Sequence, residues 1–314
     1  MNRNNKQNRV NDKRILSPGK NPGGAVELAS HRSGRHNELL SLGTKDVYTV
    51  PSTMSIIGSA EEMVHRGFRR LPVTDPGTQQ LKGLVTAGDI IDFMGGGQKY
   101  NLVRGRHHGN LIAAVNEPVR KIMSTAVTTL SPSADLSDAV ECILRTGYGG
   151  LPIVDKEMVL CGIFTERDAL NVLSAYRSSL TVEEVMTVSP YVTSPDAKIS
   201  DVTREMVKRK IRRLPVVSGE VLFGIVTAMD VMRFLGDGDA FSGMETGNAE
   251  EIMQLPIREL ISGELYTTTP DTNIGETARM MISRGIGAFP VIEDSRLVGI
   301  VTEFDMVRAL NREM

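Results

Sequence analysis

Four times along the chain, the same order of apolar and polar positions returns. Each copy opens on a short run rich in β-branched residues and closed by proline, at 47–51, 127–132, 191–195 and 266–270. Such residues favour an extended strand, and proline ends it. Apolar positions then recur three and four apart: Leu136, Ala139, Val140, Ile143 and Leu144 in the second copy, Val202, Met206 and Val207 in the third. That period predicts an amphipathic helix, with Asp135 and Ser200 placed as N-caps. Two apolar strands follow, parted by polar turns at 75–77, 155–157, 218–220 and 293–295. A second helix is predicted over 90–94, 169–174, 231–235 and 306–310. The unit is therefore β-α-β-β-α.

Two phrases travel together inside each unit. The first is Leu71-Pro72-Val73, Leu151-Pro152-Ile153, Leu214-Pro215-Val216 and Phe289-Pro290-Val291. The second runs from Gly83 to Asp89, Gly162 to Asp168, Gly224 to Asp230 and Gly299 to Asp305, with a threonine three residues before each aspartate. The prolines are spaced by 80, 63 and 75 residues and the aspartates by 79, 62 and 75, so the chain is an internal repeat. A unit of three strands buries its sheet poorly. The first two units are expected to share one core and the last two another. The predicted class is α/β (α+β): an arm at 1–37, units at 38–98, 119–178, 179–236 and 257–314, an insertion at 99–118 and a linker at 237–256.

Composition sharpens this only at the N-terminus. The chain of 314 residues has a formal charge of −2, but residues 1–35 carry eight Lys/Arg against Asp12 and Glu27, leaving −8 for the rest. Rich in Asn and Gly and poor in large apolar residues, the arm is expected to be disordered. A basic tail can touch nucleic acid, yet a solvated tail is the simpler reading, and nucleic acid is disfavoured as a partner. Cys142 and Cys161 are the two cysteines, with no CxxC and no Cys/His cluster, so neither a metal site nor a disulfide framework is expected. No apolar run approaches the ~18 residues of a membrane span. A cytoplasmic protein with no membrane association is expected.

The candidate chemistry is recognition. A single Thr-x-x-Asp at a helix start reads as an N-cap. Four copies, each after the same strand, favour a ligand: free N–H groups at a helix start attract an anion, and a carboxylate can accept two hydrogen bonds from a cis-diol. Arg69 and Arg70 precede Leu71, and Arg212 and Arg213 precede Leu214; the matching pairs in the even units are Gly149-Gly150 and Gly287-Ala288. Each predicted pair of units thus has one cationic and one slim half, and arginine makes forked phosphate contacts. No catalytic residues are assigned, because the five histidines stand in no Ser/His/Asp, HExxH or Walker pattern. Gly95-Gly96-Gly97 reads as a hinge, and Arg104, Arg106, His107 and His108 as an exposed linker or, alternatively, a lid.

These motifs resemble the cystathionine-β-synthase (CBS) domain, whose signature joins Leu-Pro-Val to Gly-h-h-Thr/Ser-x-x-Asp. CBS domains pair into Bateman modules, and two modules in one chain resemble the gamma subunit of AMP-activated protein kinase and its stand-alone archaeal relatives. The resemblance covers about residues 38–314. It implies a non-catalytic sensor of AMP, ADP or ATP, with no further cofactor, an unidentified regulated protein as partner, and room for a homodimer. By the same resemblance Asp89, Asp168, Asp230 and Asp305 hold ribose, and Thr86, Thr165, Thr227 and Thr302 meet the ribose-phosphate end. Arg70 and Arg213, with Arg69 and Arg212 behind them, take phosphate, while Thr49, Thr129, Thr193 and Thr268 line the adenine slot. S-adenosylmethionine or methylthioadenosine is the alternative ligand, and a nucleic-acid-associated role for the arm the alternative function.

Overall fold

The computed structural model describes residues 26–28, 38–261 and 263–314. The rest of the expected disordered arm lies outside the described residues. Within it, Val26–Leu28 is a strand (β1), a local departure from an arm without structure; this Val-Glu-Leu segment pairs parallel with 128–130.

The first unit contains α1 (Glu38–Leu42), β2 (Val50–Pro51), α2 (Ile56–Arg66), β3 (Arg70–Thr74), β4 (Leu81–Thr86) and α3 (Ala87–Ile91), with α4 (Leu111–Val115) in the insertion. The second has β5 (Thr128–Leu130), α5 (Leu136–Thr146), β6 (Gly150–Val154), β7 (Leu160–Thr165) and α6 (Glu166–Ala175). In the third are β8 (Thr187–Val188), α7 (Ile199–Arg209), β9 (Arg213–Ser218), β10 (Val221–Thr227) and α8 (Ala228–Gly236); α9 (Asp239–Ser242) and α10 (Ala249–Met253) occupy the linker. The fourth closes with α11 (Ile274–Arg284), β11 (Ala288–Glu293), β12 (Arg296–Thr302) and α12 (Glu303–Glu313). The Leu-Pro-Val strand always pairs antiparallel with the strand leading to Thr-x-x-Asp. On its other side it meets the opening stretch in parallel, as Val50–Val73, Leu130–Ile153, Thr193–Val216 and Thr268–Val291.

Local signals set the helix ends. Asp135 caps α5 as expected, accepting from the Asp138 N–H at 2.9 Å. Ser200 does not cap; α7 begins one residue earlier, after Lys198, without a side-chain cap. At the C-terminal ends of α2, α5 and α11 the left-handed position is glycine, but after α7 it is Lys210 at φ +55°.

Units pair through their lead-in segments. Ser124 bridges Leu84, Thr44 bridges Ile163, and β8 runs along β12, which joins first to second unit and third to fourth. The large cores follow a different pairing, against expectation. One is built by α2, α3, α7 and α8 of the first and third units around Ile56, Met63, Phe93, Met206 and Leu235. The other belongs to the second and fourth, around Ile143, Phe164, Leu173, Met281 and Leu310. Between first and second, among the described residues, lies a small cluster of Leu81, Val127 and Val154. Once one helix face covers its own sheet, the remaining apolar surface must find a cover, and here the helices of the other module supply it.

The insertion and the linker are part of this packing. Leu111 N–H donates to Gly247 and Ala249 N–H to Gly109, both at 2.9 Å, and Val103, Leu111 and Ala114 are fully buried. Gly95 and Gly96 serve close approach rather than a hinge: a Cβ at Gly96 would stand 2.8 Å from the Thr203 carbonyl of α7.

Candidate functional site

Each Thr-x-x-Asp is a complete capping box. The threonine N–H donates to Oδ2 of the aspartate at 2.7 Å in Asp89, Asp168 and Asp230 and at 2.9 Å in Asp305. The hydroxyl of Thr86, Thr165, Thr227 or Thr302 donates to the same oxygen at 2.7–2.8 Å. The cap therefore occupies one carboxylate oxygen and aims the other. On that second oxygen, Asp89 carries the Lys99 ammonium, Asp230 carries Arg233 at 2.9 Å, and Asp305 has Arg308 at 3.4 Å. Burial pushes the Asp168, Asp230 and Asp305 carboxyls up, against the threonine hydrogen bonds.

The pairs of the first, third and fourth units line cavities. Thr86 and Asp89 face a cleft of about 320 Å³ with Thr128, Tyr148, Gly149 and Gly150 of the second unit. Thr227 and Asp230 line one of about 350 Å³ with Tyr266 and Gly287 of the fourth. Thr302 and Asp305 line one of about 260 Å³ with Tyr191 and Pro215 of the third. Thr165 and Asp168 lie in the same arrangement beside Arg70, whose charge acts on Asp168. None of Thr49, Thr129, Thr193 and Thr268 is on the wall of these three cavities. Thr129 and Thr268 are buried, and their hydroxyls have no partner among the described residues. Thr193 and Thr268 spend their backbone groups on the adjoining strands. Walls come instead from neighbours such as Thr128, Tyr191 and Tyr266.

The four arginines converge where the units meet, and they do not stay within their own modules. Arg69, Arg70 and Arg212 line the Asp89 cleft, Arg212 and Arg213 the Asp305 cleft, and Arg69, Arg212 and Arg213 the Asp230 cleft. Two buried acids hold the first member of each pair. Arg69 binds Glu303, and Arg212 donates to Glu166 at 2.5 Å. Arg167 also approaches Glu303, at 3.7 Å, and Arg213 approaches the same carboxylate at 3.8 Å. Burial raises the Glu303 carboxyl, but Arg69 and Arg213 overcome this and hold it at about 2. Burial lowers Arg70 and Arg213 to about 10; neighbouring Arg212 and Arg69 push the same way. Arg70, Arg212 and Arg213 stay cationic at neutral pH. With Arg167, five guanidinium groups face two carboxylates, an excess of three positive charges.

The slim half of the alternation has a steric cause. A Cβ at Gly150 would stand 2.6 Å from the Arg70 guanidinium, and one at Gly149 2.5 Å from Glu166 Oε2. At Gly287 it would meet Arg213 and Glu303 at 2.7 Å. The small residues leave the channel through which arginines of other units arrive.

Sequence reasoning passed over Glu166, Glu303 and Lys210. The residue after each threonine alternates as Ala87, Glu166, Ala228 and Glu303, out of phase with the arginine pairs. That reciprocal pattern was available from the repeat. Lys210, on the walls of the Asp89 and Asp305 clefts, stands where the other units have glycine. The candidate lid is absent from these walls: Arg106 and His107 sit on Glu117 at 2.9 and 3.0 Å. Among the described residues no cluster of His, Cys, Asp and Glu could hold a metal, and no helix is long and apolar enough to cross a membrane.

The CBS domain family model matches residues 40–96, 119–175, 182–237 and 257–312. Protein MJ1225 of Methanocaldococcus jannaschii is 39% identical over 266 residues, covering 84% of this chain and 95% of that protein. Its crystal structure, described as that of a candidate archaeal homolog of g-AMPK, superposes with a TM-score of 0.82 over 87% of this chain and 99% of its own. A 33.4 kDa protein of the ribosomal RNA operon of Thermofilum pendens is 30% identical over 84% of this chain and 87% of its length. With four domain copies matched and the signature residues gathered around shared clefts, the chain belongs to the CBS-domain family.

Proposed function

We propose that the protein is a non-catalytic regulatory sensor that binds an adenine nucleotide, AMP, ADP or ATP, in the clefts between its CBS units. One observation carries the reading: Arg70 and Arg213, both cationic, stand at a junction with surplus positive charge, beside cavities walled by Thr-Asp pairs. A carboxylate with one oxygen fixed by the cap and the other held at the cleft wall by a side-chain cation keeps lone pairs that suit a ribose diol. Arginines a short way off suit its phosphate. The likeness to a candidate homolog of g-AMPK points the same way. Methylthioadenosine carries no anionic group, and S-adenosylmethionine carries one carboxylate against two positive charges of its own, so neither answers this surplus as a phosphate does.

Regulation follows from the shared cores. A ligand bridging residues of both modules favours one arrangement of the two over another, and only such differential affinity shifts a population. A tenfold preference amounts to about 1.4 kcal/mol. The regulated partner would read the module interface. Calorimetric titration with AMP, ADP, ATP and S-adenosylmethionine tests the reading: nucleotides should bind, and Arg70→Met with Arg213→Met should weaken them at least tenfold. Absence of heat with every nucleotide at millimolar concentration refutes the proposal; heat with S-adenosylmethionine alone transfers it to the sulfonium ligand.

A further inference from the structure

Nucleotide capture by itself gives no reason for acids at the junction, yet Glu166 and Glu303 are 1% and 0% exposed there. Each carboxylate repels phosphate and cancels one of five positive charges. Their placement is specific. Both follow the threonine of an even unit, and both cross to the other module: Glu166 to Arg212 of the third unit, Glu303 to Arg69 of the first. Glu166 Oε2 is buried and accepts no hydrogen bond from a described residue.

This divides the labour within each arginine pair. Arg69 and Arg212 are held by a carboxylate. Arg70 donates no hydrogen bond to a described residue, and Arg213 comes no nearer to Glu303 than 3.8 Å. One phosphate can meet Arg70 or Arg213 without disturbing either buried pair. A longer phosphate chain that reached on to Arg69 or Arg212 would displace a carboxylate buried away from the surface, and an unpaired buried charge is costly.

We propose that Glu166 and Glu303 are specificity-determining residues that make the clefts favour a nucleoside monophosphate over di- and triphosphates, by holding Arg212 and Arg69 against the longer chain. The inference rests on the nucleotide reading above and deepens it. It also gives the acids a role that a purely structural ion pair would lack, since the latter would alter all ligands alike.

The test is calorimetric titration of AMP and of magnesium-free ATP into the full chain and into Glu166→Gln, Glu303→Gln and the double variant, each checked for its melting transition. In the double variant ATP should bind at least tenfold tighter, while AMP affinity stays within about threefold. Equal shifts for both ligands, or no shift, overturn the assignment and leave the nucleotide reading intact. Should the variants not fold, the unaltered chain decides: AMP must bind more tightly than ATP, and a tenfold preference for ATP overturns the inference. An unaltered chain that binds neither nucleotide refutes the nucleotide reading itself, and this inference with it.

Discussion

Lys210 is a non-glycine residue in left-handed backbone at a helix end, where three sister positions hold glycine. Such backbone costs on the order of 1 kcal/mol for an L-residue, and strain of this kind gathers at functional sites. Because Lys210 borders two clefts, Lys210→Gly should leave the fold as stable or up to about 1 kcal/mol more stable, while nucleotide affinity falls. Thermal melts beside titrations check this; a stabler variant with undiminished affinity would remove Lys210 from the site. Glu303 gives a second expectation. Its folded carboxyl lies at about 2, below its ordinary value of 4.5, so its stabilisation is present above pH 4.5 and lost as pH falls toward 2. The contribution at neutral pH is on the order of 3 kcal/mol. Glu303→Gln should lower stability at pH 7 by a comparable amount and flatten the acid limb of the stability curve; an unchanged acid limb in denaturant titrations would contradict it.

At the scale of elements, the strand starts distinguish odd from even units. β3 and β9 begin with arginine, whereas the matching starts at Gly150 and Ala288 are small. Gly287→Ala would put a methyl 2.7 Å from both Arg213 and Glu303, and the flexible guanidinium end would move before the backbone did. Weaker nucleotide binding by at least fivefold with a near-native melting temperature is expected, whereas a plain packing defect would lower the melting temperature first. Much at this scale was legible in the sequence. Element order and the capping aspartates arise from contacts within one unit, where apolar period and turn residues act directly; the arginine alternation is legible because it repeats with the unit, although its contacts lie between units. The burial of Thr129 and Thr268 was not legible, because which face of a short stretch looks outward depends on the strands beside it, not on its own pattern.

For the molecule as a whole, the two large cores run between modules, joining first to third unit and second to fourth. Each half of the chain alone would expose α2 and α3, or α7 and α8, to water. Residues 38–178 and 179–314 expressed separately should therefore self-associate or aggregate, and mixing them should restore a one-to-one complex; two stable monomers by sedimentation would disprove it. The sequence by itself determined four β-α-β-β-α units and the Thr-Asp cap in each, because neighbours in the chain enforce those features, and it displayed two units with arginines beside two without. Only the tertiary structure decided which cation meets which acid. Arg69 lies 234 residues from Glu303 and Arg212 lies 46 from Glu166. An amphipathic stripe states that a helix face must be covered, and every unit offers much the same stripe, so the choice of cover belongs to shape and charge complementarity between whole units.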